Sequence, residues 1–563
     1  MRNGESRTRF IIHHASFIIS AISFLALLAA TIAWSRRKAP SPADFTFIIR
    51  GDITTLDTRG ITWLQDMRIA YALYEGLYTL DPRTLKPVLG CADRVDITPD
   101  KTVYTFHIRD GARWCNGDDV TAGDFIFAWR RALEQPGDYT YLFNCIAGAE
   151  AYKTACGQGK PADFSTVGVK AIARKTLRVH LKQPVKFFPD LCAYVSYLPL
   201  HEPSMRKFRI VDAKTGRVSY DARFTRPPNL VGNGPYRLES WEFKQRLRLV
   251  ASDYYWNRAA VKSKVIDALC YSDVRTAFLR YEMGGIDWIS DINSMDAADL
   301  LARGRKDIHI FPGFGTYFYS INCQPKLKDG RPNPLADVRV RQSLCMALNK
   351  RPIIDNVTRL HQPIADTFLP PSVFAGYQSP QGLPHDPQRA RQLLADAGYP
   401  GGRGFPKLSI LYNEGDEHGL IAQICRKQWL DVLGIDIELE ALEIKSFRQR
   451  LHGRDYTIAR ASWMGDYDDP SNFLGKFIST SDNNDAGWAN ARYDRLCRDG
   501  ETETDPTRRN AMFTQAEQIL VDDVPIIPLY FYVNCYLYPD RVRGLPPDPR
   551  SMVMLHAVEV HRP

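Results

Sequence analysis

Between residues 408 and 439 the chain reads strand, helix, strand, and no other stretch restricts its fold as tightly. Residues 408–412 form a short apolar run, and a helical pattern follows from about Leu420 to Leu433. Gly434 stops it, and Ile435, Ile437 and Leu439 then alternate with acids. Units of this kind build sheets covered by helices, and their ligands sit in crevices at strand ends or between domains. The same punctuation recurs upstream, where Asp386 supplies an N-cap, Pro387 the first helical position, Leu393 and Leu394 an apolar face, and Gly398 with Pro400 a stop. Residues 104–109 alternate like a half-buried strand. Thr121 and Asp124 form a capping box ahead of Phe125, Trp129 and Leu133. The fold class is α/β, and a chain of 563 residues is long enough for two or three domains.

The N-terminus departs from this grammar. From His14 to Trp34 there is no Asp, Glu, Lys or Arg, and the run is about as long as a bilayer-spanning helix requires. Arg2, Arg7 and Arg9 precede it, as in the positive region of a signal peptide, and Arg36, Arg37 and Lys38 follow. Residues 1–34 therefore read as a signal peptide or an uncleaved membrane anchor, and 35–44 as a linker. No cysteine precedes Cys91, which excludes a lipid-modified cysteine here. Everything after about residue 39 is expected outside the cytoplasm, periplasmic or at the cell surface.

Eleven cysteines include no C-x-x-C pair and no cluster at zinc spacing. Cys145 and Cys156 are placed to close a loop in an oxidising compartment; the alternative is buried free thiols. The net charge of +9 is diffuse, without basic runs interleaved with aromatics, so nucleic acid is not expected as a partner. No G-x-S-x-G, H-E-x-x-H, P-loop or dinucleotide fingerprint occurs, and an enzyme is not expected. No cofactor or metal is expected either.

Six landmarks in order carry a specific likeness: residues 73–77 (LYEGL), 104–117 (YTFHIR through WCNG), 121–125 (TAGDF), 232–236 (GNGPY) with Tyr255-Trp256, 337–341 (DVRVR) and 459–467 (ARASWMGDY). With these the chain resembles the peptide-binding family of extracytoplasmic solute-binding proteins that serve ABC importers. The resemblance implies a two-lobed cleft fold with an additional small domain, the lobes joined by two hinge strands near residues 314 and 533. Carried onto this chain, lobe I comprises 45–74, 200–314 and 534–563, the extra domain 75–199, and lobe II 315–533. It also implies short peptides as ligands, importer permease subunits as partners and a monomer.

A binder of peptides of any sequence needs an anion for the α-ammonium, a cation for the α-carboxylate, and backbone edges for the extended chain. The resemblance places Asp466 at the ammonium and Arg460 and His418 at the carboxylate, with Asn413 beside His418. Trp463, Tyr139 and Tyr532 match aromatic pocket positions, and Thr62, Trp63 and Leu64 offer backbone. Read alone, Asp466 is equally an ordinary loop acid, or part of a calcium loop with Asp468, Asp469 and Asn472, although the spacing fails the D-x-D-x-D-G pattern. Three positions depart from the family: Thr358 stands for a lysine, with Arg359 beside it, Ile444 for a tryptophan, and Ser320 for an acid. A same-fold protein for a metal chelate, a haem or an oligosaccharide, and a tethered peptide sensor without transport, are the competing readings.

Overall fold

The computed structural model of the protein describes residues 41–562 apart from 272, 291, 293, 372, 375 and 416. The N-terminal segment, and most of its linker, lie outside the described residues. Among these, no helix is long and apolar enough to cross a membrane.

Two long strands organise the rest. Ile308–Ile321 and Ile526–Leu537 pair antiparallel, from Ile308 opposite Leu537 to Ser320 opposite Ile526. Their inner ends belong to a five-stranded sheet in the order Ile437–Leu442, Leu408–Asn413, Ile458–Met464, Ile308–Ile321, Ile526–Leu537. The β-α-β unit read from the sequence forms its edge: Leu408–Asn413 and Ile437–Leu442 are parallel, and helix His418–Leu433 connects them. Gly434 ends that helix with a φ of 70°, a conformation open to glycine at little cost.

Side chains alternate across a strand, so this sheet separates two cores. Tyr317, Tyr319 and Ile321 pack with Ile410, Ile421 and Trp429 on one face. Phe318 and Ala461 pack with Phe368, Phe473 and Phe477 on the other.

The outer ends of the long strands enter a different environment, where Ile308, Cys535 and Leu537 pack with Ile48, Ile286 and Ile289. Between the two environments the register slips. Pro312 faces Val533 but Thr316 faces Phe531, so three residues of one strand oppose Tyr532 alone. Glycines allow this: a Cβ on Gly313 would lie 2.8 Å from the Tyr532 carbonyl oxygen, and one on Gly315 would strike Met464.

The strand that carries Ile48, Phe45–Ile49, runs parallel to Val265–Cys270 in a four-stranded sheet completed by Arg246–Ala251 and Tyr236–Glu242. A second four-stranded sheet is built from residues 92–180, in the order Ala92–Ile97, Val103–Ile108, Thr176–His180, Val169–Ala173. Helix Ala122–Glu134 accompanies it, opened by the expected capping box, in which Asp124 Oδ2 accepts the Thr121 backbone N–H at 2.7 Å. These two sheets share one continuous core. The eleven cysteines are free thiols, so Cys145 and Cys156 do not close a loop.

The landmarks at 73–77, 232–236 and 255–256 meet in a buried polar knot. The Glu75 carboxylate accepts the Tyr255 hydroxyl at 2.6 Å and Trp256 Nε1 at 2.7 Å, while the Asn233 amide accepts from the Glu75 N–H and donates to its carbonyl. Burial holds the Glu75 carboxyl above its ordinary pKa against these hydrogen bonds. Gly234 lies against the backbone of residues 72–74, and a Cβ there would sit 2.6 Å from Tyr74 N. Backbone cannot move aside as a flexible side chain can, so Gly234→Ala is expected to cost about 2–4 kcal/mol of stability. Urea denaturation against the parent measures it; an unchanged midpoint would show that the knot tolerates repacking.

Candidate functional site

Arg460, Ser462 and Met464 point to one face of strand Ile458–Met464, and Ala459, Ala461 and Trp463 to the other. Arg460 thereby reaches a cluster of phenols. Its guanidinium lies over the Tyr317 ring at 5.1 Å, donates to the Tyr532 hydroxyl at 3.2 Å and approaches Asn413 Oδ1 at 3.5 Å. Its Nε is buried with no hydrogen-bond partner among the described residues. Burial opposes the charge, but the oxygens of Tyr532, Tyr317 and Tyr530 outweigh it and hold the guanidinium above its ordinary pKa. No carboxylate among the described residues forms an ion pair with Arg460 within 4.0 Å.

His418 joins the same cluster. The sequence suggests a polar loop, but His418 is the first residue of helix His418–Leu433 and is buried, its Nδ1 3.2 Å from the Tyr317 hydroxyl. Tyr317 thus lies between the imidazole and the guanidinium. Tyr532 and Asn413, both expected at the site, meet Arg460 directly; Tyr317 and Tyr530 were not expected.

Asp466 lies beyond the end of the strand, after Gly465, and is half-buried. Its carboxylate accepts the Tyr141 hydroxyl at 2.9 Å and the Tyr194 hydroxyl at 3.1 Å, both donated from the region that carries the 92–180 sheet. Its backbone N–H donates to Asn472 Oδ1, which also receives Trp463 Nε1, each at 3.2 Å. Burial pushes the Asp466 carboxyl above the usual carboxylate range, against the pull of the hydroxyls and Asn472. No cation among the described residues pairs with it within 4.0 Å.

Tyr141 and Tyr194 were missed in the sequence. Tyr139, the expected pocket aromatic, packs edge-on against Tyr194 with ring centroids 5.2 Å apart. Trp463 stands on the sheet face opposite Arg460 and contributes to the Asp466 end through Asn472, with Lys476 Nζ 5.0 Å from its ring centroid. Asp469 is engaged elsewhere, accepting from Arg509 at 2.8 Å, so the acids of this loop do not converge as calcium ligands do. Among the described residues no group of three or more His, Cys, Asp or Glu is placed to hold a metal ion.

Trp63 caps helix Leu64–Leu73 and is exposed, with Arg448 over its ring at 5.7 Å. The Trp63 carbonyl accepts Met67 N–H, while the backbone of Thr62 and the N–H of Leu64 find no partner among the described residues. Ile444 opens the helix Ile444–His452 that carries Arg448. The buried Thr358 hydroxyl donates to Gln362, and exposed Arg359 follows in the left-handed region. Ser320 is buried 2.9 Å from the Tyr456 hydroxyl.

Comparison with known proteins adds an independent finding. Residues 86–485 match the family model described as bacterial extracellular solute-binding proteins, family 5, middle. The oligopeptide-binding protein OppA of Bacillus subtilis strain 168 is 32% identical over 483 residues, covering 84% of each chain. The periplasmic oligopeptide-binding protein OppA of Escherichia coli K12 is 30% identical over 541 residues, covering 94% of this chain and 95% of the relative. Haemophilus influenzae OppA in complex with RPPGFSPFR superposes with a TM-score of 0.76 at 28% identity, covering 93% of this chain and all of that one. The α/β cleft fold expected from the sequence is the fold of this group.

The raised pKa of Asp466 has a consequence for the unliganded protein. A carboxyl whose pKa is higher folded than unfolded favours the folded state when protonated, and that advantage is lost as pH rises through the unfolded and then the folded value. Once ionised, Asp466 is therefore a burden on the empty protein. Asp466→Asn is expected to melt no lower than the parent at pH 7, and up to about 1–2 kcal/mol more stable. Calorimetric melting curves at pH 4 and pH 7 test this; a large loss at pH 7 would show that the carboxylate is a structural anchor.

Proposed function

Because the chain belongs to family 5 of the bacterial extracellular solute-binding proteins, we propose that it captures short extended peptides between two lobes and delivers them to the membrane subunits of an ABC importer. The observation that carries this reading is a pair of opposite charges six residues apart with no ion-pair partner among the described residues, Arg460 in a bed of phenols and Asp466 between two hydroxyls. A peptide supplies both missing partners. Its α-ammonium meets Asp466, and its α-carboxylate meets Arg460, whose fork suits bidentate pairing. His418, behind Tyr317, serves carboxylates that stop at a different distance, since an extended peptide advances about 3.3 Å per residue.

The backbone of Thr62 and the N–H of Leu64, without partners among the described residues, receive the main chain, which lets side chains vary. Lobe I comprises 45–74, 200–314 and 534–563, lobe II 315–533, and the domain 75–199 brings Tyr141 and Tyr194 to the ammonium end. Closure turns about the register slip at Gly313–Gly315 opposite Tyr532. The protein binds and releases its peptide uncut. Its N-terminal segment exports it and, if uncleaved, tethers it to the membrane.

Removing one partner of a desolvated ion pair costs about 3–5 kcal/mol. Asp466→Ala is therefore expected to weaken peptide binding on the order of a hundredfold or more, and N-acetylated peptides should bind the parent equally poorly. Arg460→Gln should do the same to free-acid peptides and spare peptide amides. Calorimetry with free, N-acetylated and C-amidated peptides decides: equal affinities for free and blocked ends would refute the charge assignments, and recovery of cleaved peptide would refute a pure binding role.

A further inference from the structure

Residues 206–226 form a small hairpin, Arg209–Val211 paired antiparallel with Val218–Tyr220. It rests on the body through Tyr220, which meets Phe127 edge-on at 6.1 Å and lies under Arg131 at 5.1 Å. The residues from Arg209 to Gly216 are otherwise in the open. Its charge is lopsided: Arg206, Lys207, Arg209, Lys214, Arg217, Arg223 and Arg226 stand against Asp212 and Asp221.

Both acids are engaged locally. Asp221 pairs with Arg223 at 2.8 Å, and Asp212 accepts the N–H groups of Lys214 and Thr215 within its own turn. Arg206 pairs with Glu202 at 3.4 Å. Lys207 donates to Asn229, Arg217 reaches the Cys156 carbonyl, and Arg226 stacks on Trp241. None of these three, nor Arg209 or Lys214, forms an ion pair within 4.0 Å among the described residues. Among these cations Ile210 and Val211 are 50% and 48% exposed.

Unneutralised cations explain attraction to an anionic partner but do not require β-branched aliphatic residues in water beside them. An anionic lipid interface accounts for both, because phosphates take the guanidinium and ammonium groups while short aliphatic side chains enter the boundary between headgroups and acyl chains. Residues 1–34, read as a signal peptide or a membrane anchor, also end about ten residues before the first strand. We propose that the 206–226 hairpin is a contact site for anionic phospholipid headgroups, with Ile210 and Val211 seated in the interface.

The test uses the full chain on two kinds of vesicle, phosphatidylcholine alone and phosphatidylcholine with phosphatidylglycerol. An inserted N-terminal segment would hold the full chain on either, so the readout is local: hydrogen exchange of peptides spanning 206–226. Protection on the anionic vesicles only, fading with added salt, is expected. A cation near such a surface contributes about fivefold in binding. Combined Arg209→Glu, Lys214→Glu and Arg217→Glu should therefore abolish the protection, while retained peptide binding shows that the variant is folded. Ile210→Ser should reduce protection at constant charge. Identical exchange on both vesicles overturns the proposal, and so does protection that arises only when importer membrane subunits are added, which would make the hairpin a protein-docking surface.

Discussion

A charged group withdrawn from water without a counter-charge is among the most costly features a fold can keep, and evolution rarely retains one without a use. Two of opposite sign, neither in an ion pair among the described residues, stand six residues apart in this chain. Arg460 is surrounded by phenol oxygens that stabilise its charge without neutralising it. Asp466 is held by hydroxyl donors that lower the cost of ionisation without meeting it in full. Neutral dipoles position each charge and leave its field uncancelled, which is what a site for a doubly charged ligand end-to-end requires.

The backbone makes this arrangement possible. One sheet, divided into two cores by its alternating faces, gives Arg460 and Trp463 opposite directions within four residues. The long strands then carry the chain out of that sheet into a separate core through a slip in register, where Gly313 and Gly315 let Tyr532 and Met464 approach. Tyr532 consequently sits at the register slip and touches Arg460 as well. The polar knot around Glu75 explains a different set of motifs: LYEGL, GNGPY and Tyr255-Trp256 are tied to one another by its hydrogen bonds.

What the sequence discloses follows from range. The capping box at Thr121, the Asp386 cap, the Gly434 stop and the strand around Phe106 are local patterns with periods of 3.6 or 2, and each is found where it was read. Arg460 and Asp466 were visible through family resemblance, since nothing in their own neighbourhood separates them from surface charges. Tyr141 and Tyr194 could not be seen. Their partner lies 325 and 272 residues away, and they stand among 27 tyrosines with no local mark of difference. His418 misleads for a related reason: a polar stretch reads as loop, whereas the helix behind it and the Tyr317 ring bury the imidazole.

Both charges ride on one continuous stretch, while the hydroxyls that complete Asp466 arrive from residues 141 and 194 on a separate core. On the proposed reading the division separates two rates. A ligand caught at both ends by a single half of the protein would associate at a rate set by 460–466 and by ionic strength. Its dwell time would depend on how long the two tyrosines stay in place. Natural variation among the tyrosine-bearing segments would then tune how quickly cargo is surrendered, leaving the efficiency of scavenging at low concentration untouched.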